Sequence, residues 1–406
     1  VSGTTVSPVP TVRGAHGRGF WLIAYAFAVM MAFSAAPTPL YVLYQQRDGF
    51  GPFMVTAVFA VYAAGVVLSV FGGGHVSDWL GRRRVLVWAL VISMTSGVLF
   101  FLPGLPALLA GRFLSGVGVG LLTATATAYL MELHLAHRPG ANRRRADLVA
   151  TAANIGGIGL GPLLAGLLAE FVPYPLIVPF VVFEILLGIA LLGVLAAPET
   201  VSRRDVPWRP QRVSVPAGDR GRYVAACLTA FASFAIFGLF TSLAPGFLAG
   251  VLGERSHAIA GLVTFSVFAA GVAGQLAMLR LSLRAALSTG FATLAAGLCM
   301  LIAGIWLPAF ALFIAGGLLT GVGAGAAFKG AVATTLTLAE PHARGEALAG
   351  LFLVGYLGLA LPVLGLGLAA QRLDSRAAVL CFAAGLMVLL VAAARPLFRV
   401  SRPRRG

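Results

Sequence analysis

Ala110-Gly111-Arg112-Phe113-Leu114-Ser115-Gly116-Val117-Gly118 returns 205 positions later as Ala315-Gly316-Gly317-Leu318-Leu319-Thr320-Gly321-Val322-Gly323. Three further matches keep nearly that offset: Tyr62-Ala63-Ala64-Gly65-Val66 with Phe268-Ala269-Ala270-Gly271-Val272, Pro39 with Pro245, and Pro162 with Pro362. In so biased a composition one match could be chance. Four in order, at near-constant spacing, mark an internal duplication.

The duplicated unit is apolar throughout. Of 406 residues, 59% are hydrophobic and 10% charged, and the mean hydropathy is +0.95. A water-soluble chain carries roughly 25% charged residues, so this one cannot cover its surface in water. A bilayer core of ~30 Å takes about 20 apolar residues per helix. Runs of that length fall at 20–44, 52–73, 85–102, 106–133, 146–169 and 174–196, and again at 223–248, 258–280, 285–306, 309–338, 345–370 and 376–395. They do not alternate as barrel strands do. The expected fold is an all-α polytopic membrane protein of twelve transmembrane helices in two six-helix pseudo-symmetric halves. Residues 20–197 form the first half and 223–395 the second, with a cytoplasmic tail over 1–19, a cytoplasmic linker over 198–222 and a second tail over 396–406. The first residues hold no signal-peptide core, so the first span itself is expected to direct insertion.

Charge sets the orientation. The net charge is +16, but the arginines stand in short clusters between apolar runs, with no aromatic-interleaved basic face; nucleic acid is not an expected partner. Placing both termini on one side puts twenty-three arginines there and four opposite, which makes that side cytoplasmic. Ala-, Gly- and Arg-rich usage suggests a bacterial plasma membrane. The three cysteines, Cys227, Cys299 and Cys381, lie far apart in apolar spans and read as small buried hydrophobes. The six His show no zinc spacing, so no metal and no cofactor are expected. No G-x-x-x-x-G-K-[ST] stretch occurs, so ATP is not the expected drive.

Between the second and third runs stands Gly74-His75-Val76-Ser77-Asp78-Trp79-Leu80-Gly81-Arg82-Arg83-Arg84. It resembles the signature loop of the major facilitator superfamily, G-x-x-x-D-[RK]-x-G-R-[RK], departing at Trp79 where a basic residue is usual. A stop-transfer cluster would explain Arg82, Arg83 and Arg84 but not Gly74, Asp78 and Gly81. The resemblance implies a conformational-switch loop holding the two halves together in the outward-facing state. At the matching place in the second half stand Arg280 and Arg284, so only one copy is intact.

Two more stretches resemble motifs of that superfamily. Arg112-x-x-x-Gly116-x-Gly118 is similar to R-x-x-x-G-x-G, linked in proton-coupled members to proton transfer. Gly157-x-x-x-Gly161-Pro162-x-x-Ala165-Gly166 resembles the G-x-x-x-G-P-x-x-G-G motif of the proton-coupled drug exporters, with Ala152 and Ala165 where glycines are usual. A kinked small-residue seam there serves export by resemblance, or helix packing in general.

Charges inside spans are costly, so each asks for a cavity, a partner or a route to the headgroups. Arg112 lines a cavity or snorkels. Lys329, the only lysine, lines a cavity or reaches the cytoplasmic phosphates. Glu184 carries a coupling proton, pairs structurally or faces lipid; with Arg112 and Lys329 it completes the proton-coupling candidates. Pro37-Thr38-Pro39 breaks the outer end of the first span, freeing carbonyls beside Tyr41. Tyr41 lines a cavity mouth there or anchors at the interface, and Asn154, Gln275 and Tyr356 are uncharged cavity candidates or interhelical hydrogen-bond partners. The reading is a secondary active transporter, not an enzyme, moving a small-molecule substrate across the bilayer in exchange for protons, with a monomer sufficing. Efflux of a small hydrophobic drug-like compound is preferred. Uptake of a small organic anion on Lys329 and Arg112 is the alternative, and a non-transporting receptor the third.

Overall fold

The computed structural model describes residues 10–73, 76–201, 212–216, 219–278, 281–341 and 343–398. Twelve helices among them are long and apolar enough to cross a bilayer. The first six are α1 (Pro10–Ala35), α2 (Pro52–Gly73), α3 (Arg82–Phe100), α4 (Leu105–His137), α5 (Arg144–Phe171) and α6 (Val178–Ala196). The second six are α7 (Arg220–Ser242), α8 (His257–Ala277), α9 (Leu283–Trp306), α10 (Phe310–Leu338), α11 (Arg344–Ala369) and α12 (Ser375–Phe398). The described residues contain no strand. Successive spans run antiparallel. The start of α1 and the end of α12 therefore share one face, the terminal face, opposite the far face.

Burial divides the bundle where the repeat does. One apolar cluster runs from Phe20 to Ala197, joined from outside by Val363. The other large cluster runs from Ala225 to Leu397. The repeated glycines are the places where helices cross at backbone distance. In the first half a Cβ on Gly116 of α4 would strike the Tyr62 carbonyl of α2. In the second half a Cβ on Gly321 of α10 would strike the Val267 carbonyl of α8. Lipid tails give helices no hydrophobic drive to associate, so such close crossings hold the bundle together.

The first span is shorter at its far end than expected. Pro37 and Pro39 lack the N–H groups that the carbonyls of Phe33 and Ala35 would accept from, so α1 stops at Ala35. A 3-10 turn, Thr38–Leu40, leads into a separate helix, Tyr41–Asp48, closed by Gly49 at φ 71°. At the other end α1 begins at Pro10, within the segment assigned to the N-terminal tail. Two of the cysteines also differ from expectation: Cys227 is buried, but Cys299 and Cys381 are exposed on the outside of the bundle, where lipid accepts a thiol readily.

The signature loop forms a short helix, Val76–Leu80, and then α3; Gly74 lies outside the described residues. Gly81 joins them at φ 96° and ψ 146°, a region open essentially to glycine. The Glu199 carboxylate accepts from the backbone N–H groups of Arg82 (3.0 Å) and Arg83 (3.1 Å), capping α3. Arg82 pairs with Asp78 (2.6 Å) and with Glu132 of α4 (3.0 Å). A Cβ at Gly81 would lie 2.6 Å from Glu199 Oε2. Gly81→Ala is therefore expected to cost about 1–3 kcal/mol in backbone strain and to displace the cap. A thermal melt of the purified variant checks this; an unchanged midpoint would contradict it.

Candidate functional site

A cavity of about 290 Å³ lies between the halves. Its deep end is formed by Ser34 in the last turn of α1, by Thr38 just beyond it, and by Thr241 of α7, all buried. Its other end passes Thr127 and Asp147, both exposed, so it opens toward the terminal face. The halves close the far face. A Cβ on Gly261 of α8 would meet the Pro162 carbonyl, one on Gly166 would meet His257, and one on Gly367 of α11 would strike the Thr56 side chain of α2. There the Glu170 carboxylate, at the end of α5, accepts from the His257 N–H at 2.8 Å, tying one half to the start of the other half's α8.

Arg112 sits in the wall of this cavity at 2% exposure. Its guanidinium lies 4.4 Å from the centre of the Tyr62 ring and 6.0 Å from that of Phe59, as cation–π attraction favours. It donates one hydrogen bond, 2.6 Å, to the Ser34 carbonyl. That carbonyl belongs to the last turn of α1, where acceptors run short of helical donors. The break at Pro37 and Pro39 and the intramembrane arginine are thus one construction. Arg112 Nε is buried with no hydrogen-bond partner.

Asn154, Gln275, Lys329 and Tyr356 line the same cavity. Asn154 stands in a π-helical turn, Ala152–Gly156, which interrupts α5; such turns re-aim side chains and recur at functional sites. Tyr41 does not join them. The turn at Thr38–Leu40 swings it away, and at 2% exposure it borders a separate far-face hollow of about 710 Å³. Glu184 does not line the cavity either. On the outer helix α6 its carboxyl presses on Gly97 of α3, inside the first half, with Oε1 buried and unpartnered. The seam glycines split between two neighbours. Gly157 and Gly161 meet Ala28 and Ala32 of α1, while Gly166 meets α8.

Sequence reasoning passed over Asp147 and most of the wall. Phe59, Tyr62, Phe234, Phe237, Phe268 and Phe328 face the cavity, as do Phe352 and Tyr356. Tyr62 and Phe268 head the matched pentapeptides of the two halves, so the repeat itself held a signal for symmetric aromatic walls. Asp147 follows the arginine cluster Arg143–Arg145 and was hidden by it.

Two six-helix halves around a cavity open at one face are the architecture of an alternating-access carrier. The sequence model of the Major Facilitator Superfamily matches residues 19–285, and the chain belongs to that superfamily. Members of that superfamily are membrane transporters. The chain is 32% identical over 143 residues to the metabolite transport protein YdjK of Escherichia coli (strain K12), covering 35% of this chain and 30% of the relative. It is 28% identical over 169 residues to the cephamycin export protein CmcT of Amycolatopsis lactamdurans, covering 41% and 33%. The chain thus aligns with about a third of the length of these curated relatives. Among solved structures, a POT family transporter in complex with 5-aminolevulinic acid superposes with a TM-score of 0.74 over 97% of both chains at 14% identity. A bacterial homologue of the human lysosomal transporter Spinster, inward-facing and unoccupied, gives 0.68 over 94% of this chain and 95% of that one at 13% identity. At such identities the likeness concerns the fold.

Proposed function

We propose that this transporter exports a small, largely apolar compound in exchange for protons across a bacterial plasma membrane, as a monomer. Its terminal face is cytoplasmic, and the cavity then stands inward-open. Residues 20–197 and 223–395 rock against each other as two bodies joined by the 198–222 linker. The observation that carries export is the seam of α5. Gly157 and Gly161 let it ride at backbone distance on α1, while Pro162 and Gly166 put it equally close to α8. The helix joining the two halves is therefore the one whose motif resembles that of the exporters. The relative CmcT, named an export protein, supports the same direction.

The aromatic wall supports an apolar solute. Coupling needs a group that trades its proton as the cavity changes sides. Asp147 is the carboxyl that faces the cavity, exposed at the mouth that closes during the cycle, whereas Glu184 faces α3. Everted vesicles energised to an acid interior and loaded with acridine orange test the reading. Addition of an exported compound from a panel of apolar antibiotics and aromatic metabolites should dequench the dye, and Asp147→Asn should abolish the response. Accumulation of such a compound by intact cells against its gradient would overturn export.

A further inference from the structure

We infer that the cavity binds its solute by a carboxylate, and that the transported class is small aromatic or aliphatic monocarboxylates rather than neutral or cationic compounds. The inference rests on the transporter reading of the cavity and narrows its substrate.

Three charged side chains line the cavity: Arg112, Lys329 and Asp147. Among the described residues none of the three forms an ion pair. The two cations lie deeper than the carboxylate. Arg112 is 2% exposed, Lys329 is half-buried and Asp147 is exposed at the mouth. A buried guanidinium without a counter-charge is held at a cost that a bound anion offsets. Arg112 is also only partly used. Ser34 takes one N–H, the Tyr62 ring centre lies 4.4 Å from the guanidinium carbon, and Nε is buried without an acceptor. What remains is an edge of planar donors, the geometry that a carboxylate meets with two parallel bonds. Lys329, on α10, brings a second cation from the opposite half. Lys329 stands twelve residues nearer the terminal face than Gly317, the α10 match of Arg112, roughly 18 Å at 1.5 Å per residue. An entering anion thus meets one cation from each moving body in turn, whereas a cation is repelled twice. Around this pair the wall is aromatic, which suits the apolar remainder of the solute. The volume of about 290 Å³ limits that remainder to one or two rings or a short chain.

The test is equilibrium binding to the purified full-length protein in nanodiscs, with no gradient, read by the shift in melting temperature and by tryptophan fluorescence. The probes are benzoate, salicylate and indole-3-acetate, each beside its neutral amide, with benzylammonium as the cation. At least one carboxylate should bind at least tenfold more tightly than its amide, and benzylammonium should not compete. Arg112→Gln and Lys329→Gln should each remove that preference. Lys329→Gln alone decides the matter if the arginine variant does not fold, since Lys329 is half-buried. Equal binding of acid and amide, binding of none of the three acids, or unchanged preference in Lys329→Gln would overturn the assignment. Because no gradient is present, carboxylate binding without dye response in the vesicle assay would refute proton-coupled export while leaving the anion site standing.

Discussion

Gly161→Ala is expected to abolish transport and to lower the melting temperature of the purified protein. The methyl group would project onto the carbonyl oxygen of Ala32 in α1, closer than any non-bonded carbon and oxygen can stand. The methyl is fixed by the α5 backbone and its partner is backbone itself, so neither can rotate aside; α5 and α1 must separate. Forcing one extra methyl into a packed core costs about 1–3 kcal/mol, and a backbone collision belongs at the upper end. The consequence does not stop at α1. Four residues earlier Gly157 rides on Ala28, and on its other side α5 meets α8 through Pro162 against Gly261 and Gly166 against His257. Moving α5 away from α1 pushes it into the opposite half at the contact that closes the far face. Transport in the vesicle assay should fall at least tenfold. Gly188→Ala is the control: it sits in α6 of the same half, and a Cβ there has nothing within 4 Å. If the two variants melt and transport alike, the seam has no mechanical role.

Much of this architecture was legible because a bilayer constrains sequence severely. Every span must be helical and apolar, so length and hydropathy alone give twelve helices in the right order. The offset near 205 was legible because glycine at a crossing is irreplaceable by anything with a side chain, as Gly116 and Gly321 show. What stayed hidden was direction around each helix axis. In an apolar span, lipid-facing and partner-facing positions look alike, so the direction of Glu184 could not be read, and Asp147 was masked by the arginines before it. The structure turns Glu184 toward α3 and Asp147 toward the cavity. Tyr41 was hard to place for a related reason. The two prolines announced a break, but not the way the chain turns after it, and the 3-10 turn sets Tyr41 against the far-face hollow rather than beside Asn154, Gln275 and Tyr356.

Glu170→Ala is expected to open the far face. Glu170 ends the first half's α5, and its carboxylate accepts from His257, the first residue of the second half's α8. The N–H groups of a first helical turn have no helical acceptor, and the helix dipole adds positive potential there. Ser256 already serves one of those donors, that of Ile259, at 3.2 Å. Glu170 serves another from across the divide, so the bond exists only while the halves are closed at this face. It acts on the equilibrium between the two states, because the rest of each half is untouched when it breaks. The carboxylate is exposed, so solvent screening keeps its net contribution to about 1–1.5 kcal/mol. At 1.4 kcal/mol per tenfold, that shifts the closed-to-open ratio by roughly five- to tenfold. The shift is readable with a single reporter thiol, Thr38→Cys, in a background where Cys227, Cys299 and Cys381 are replaced by alanine. Thr38 lies 2% exposed at the closed end of the cavity. A membrane-impermeant maleimide applied from the far side should label it roughly five to ten times faster when Glu170 is alanine. Glu170→Gln, which keeps an acceptor and loses the charge, should fall between the two. Identical labelling in all three would mean that the helices hold the far face closed by packing alone, and that the Glu170–His257 bond follows closure without favouring it.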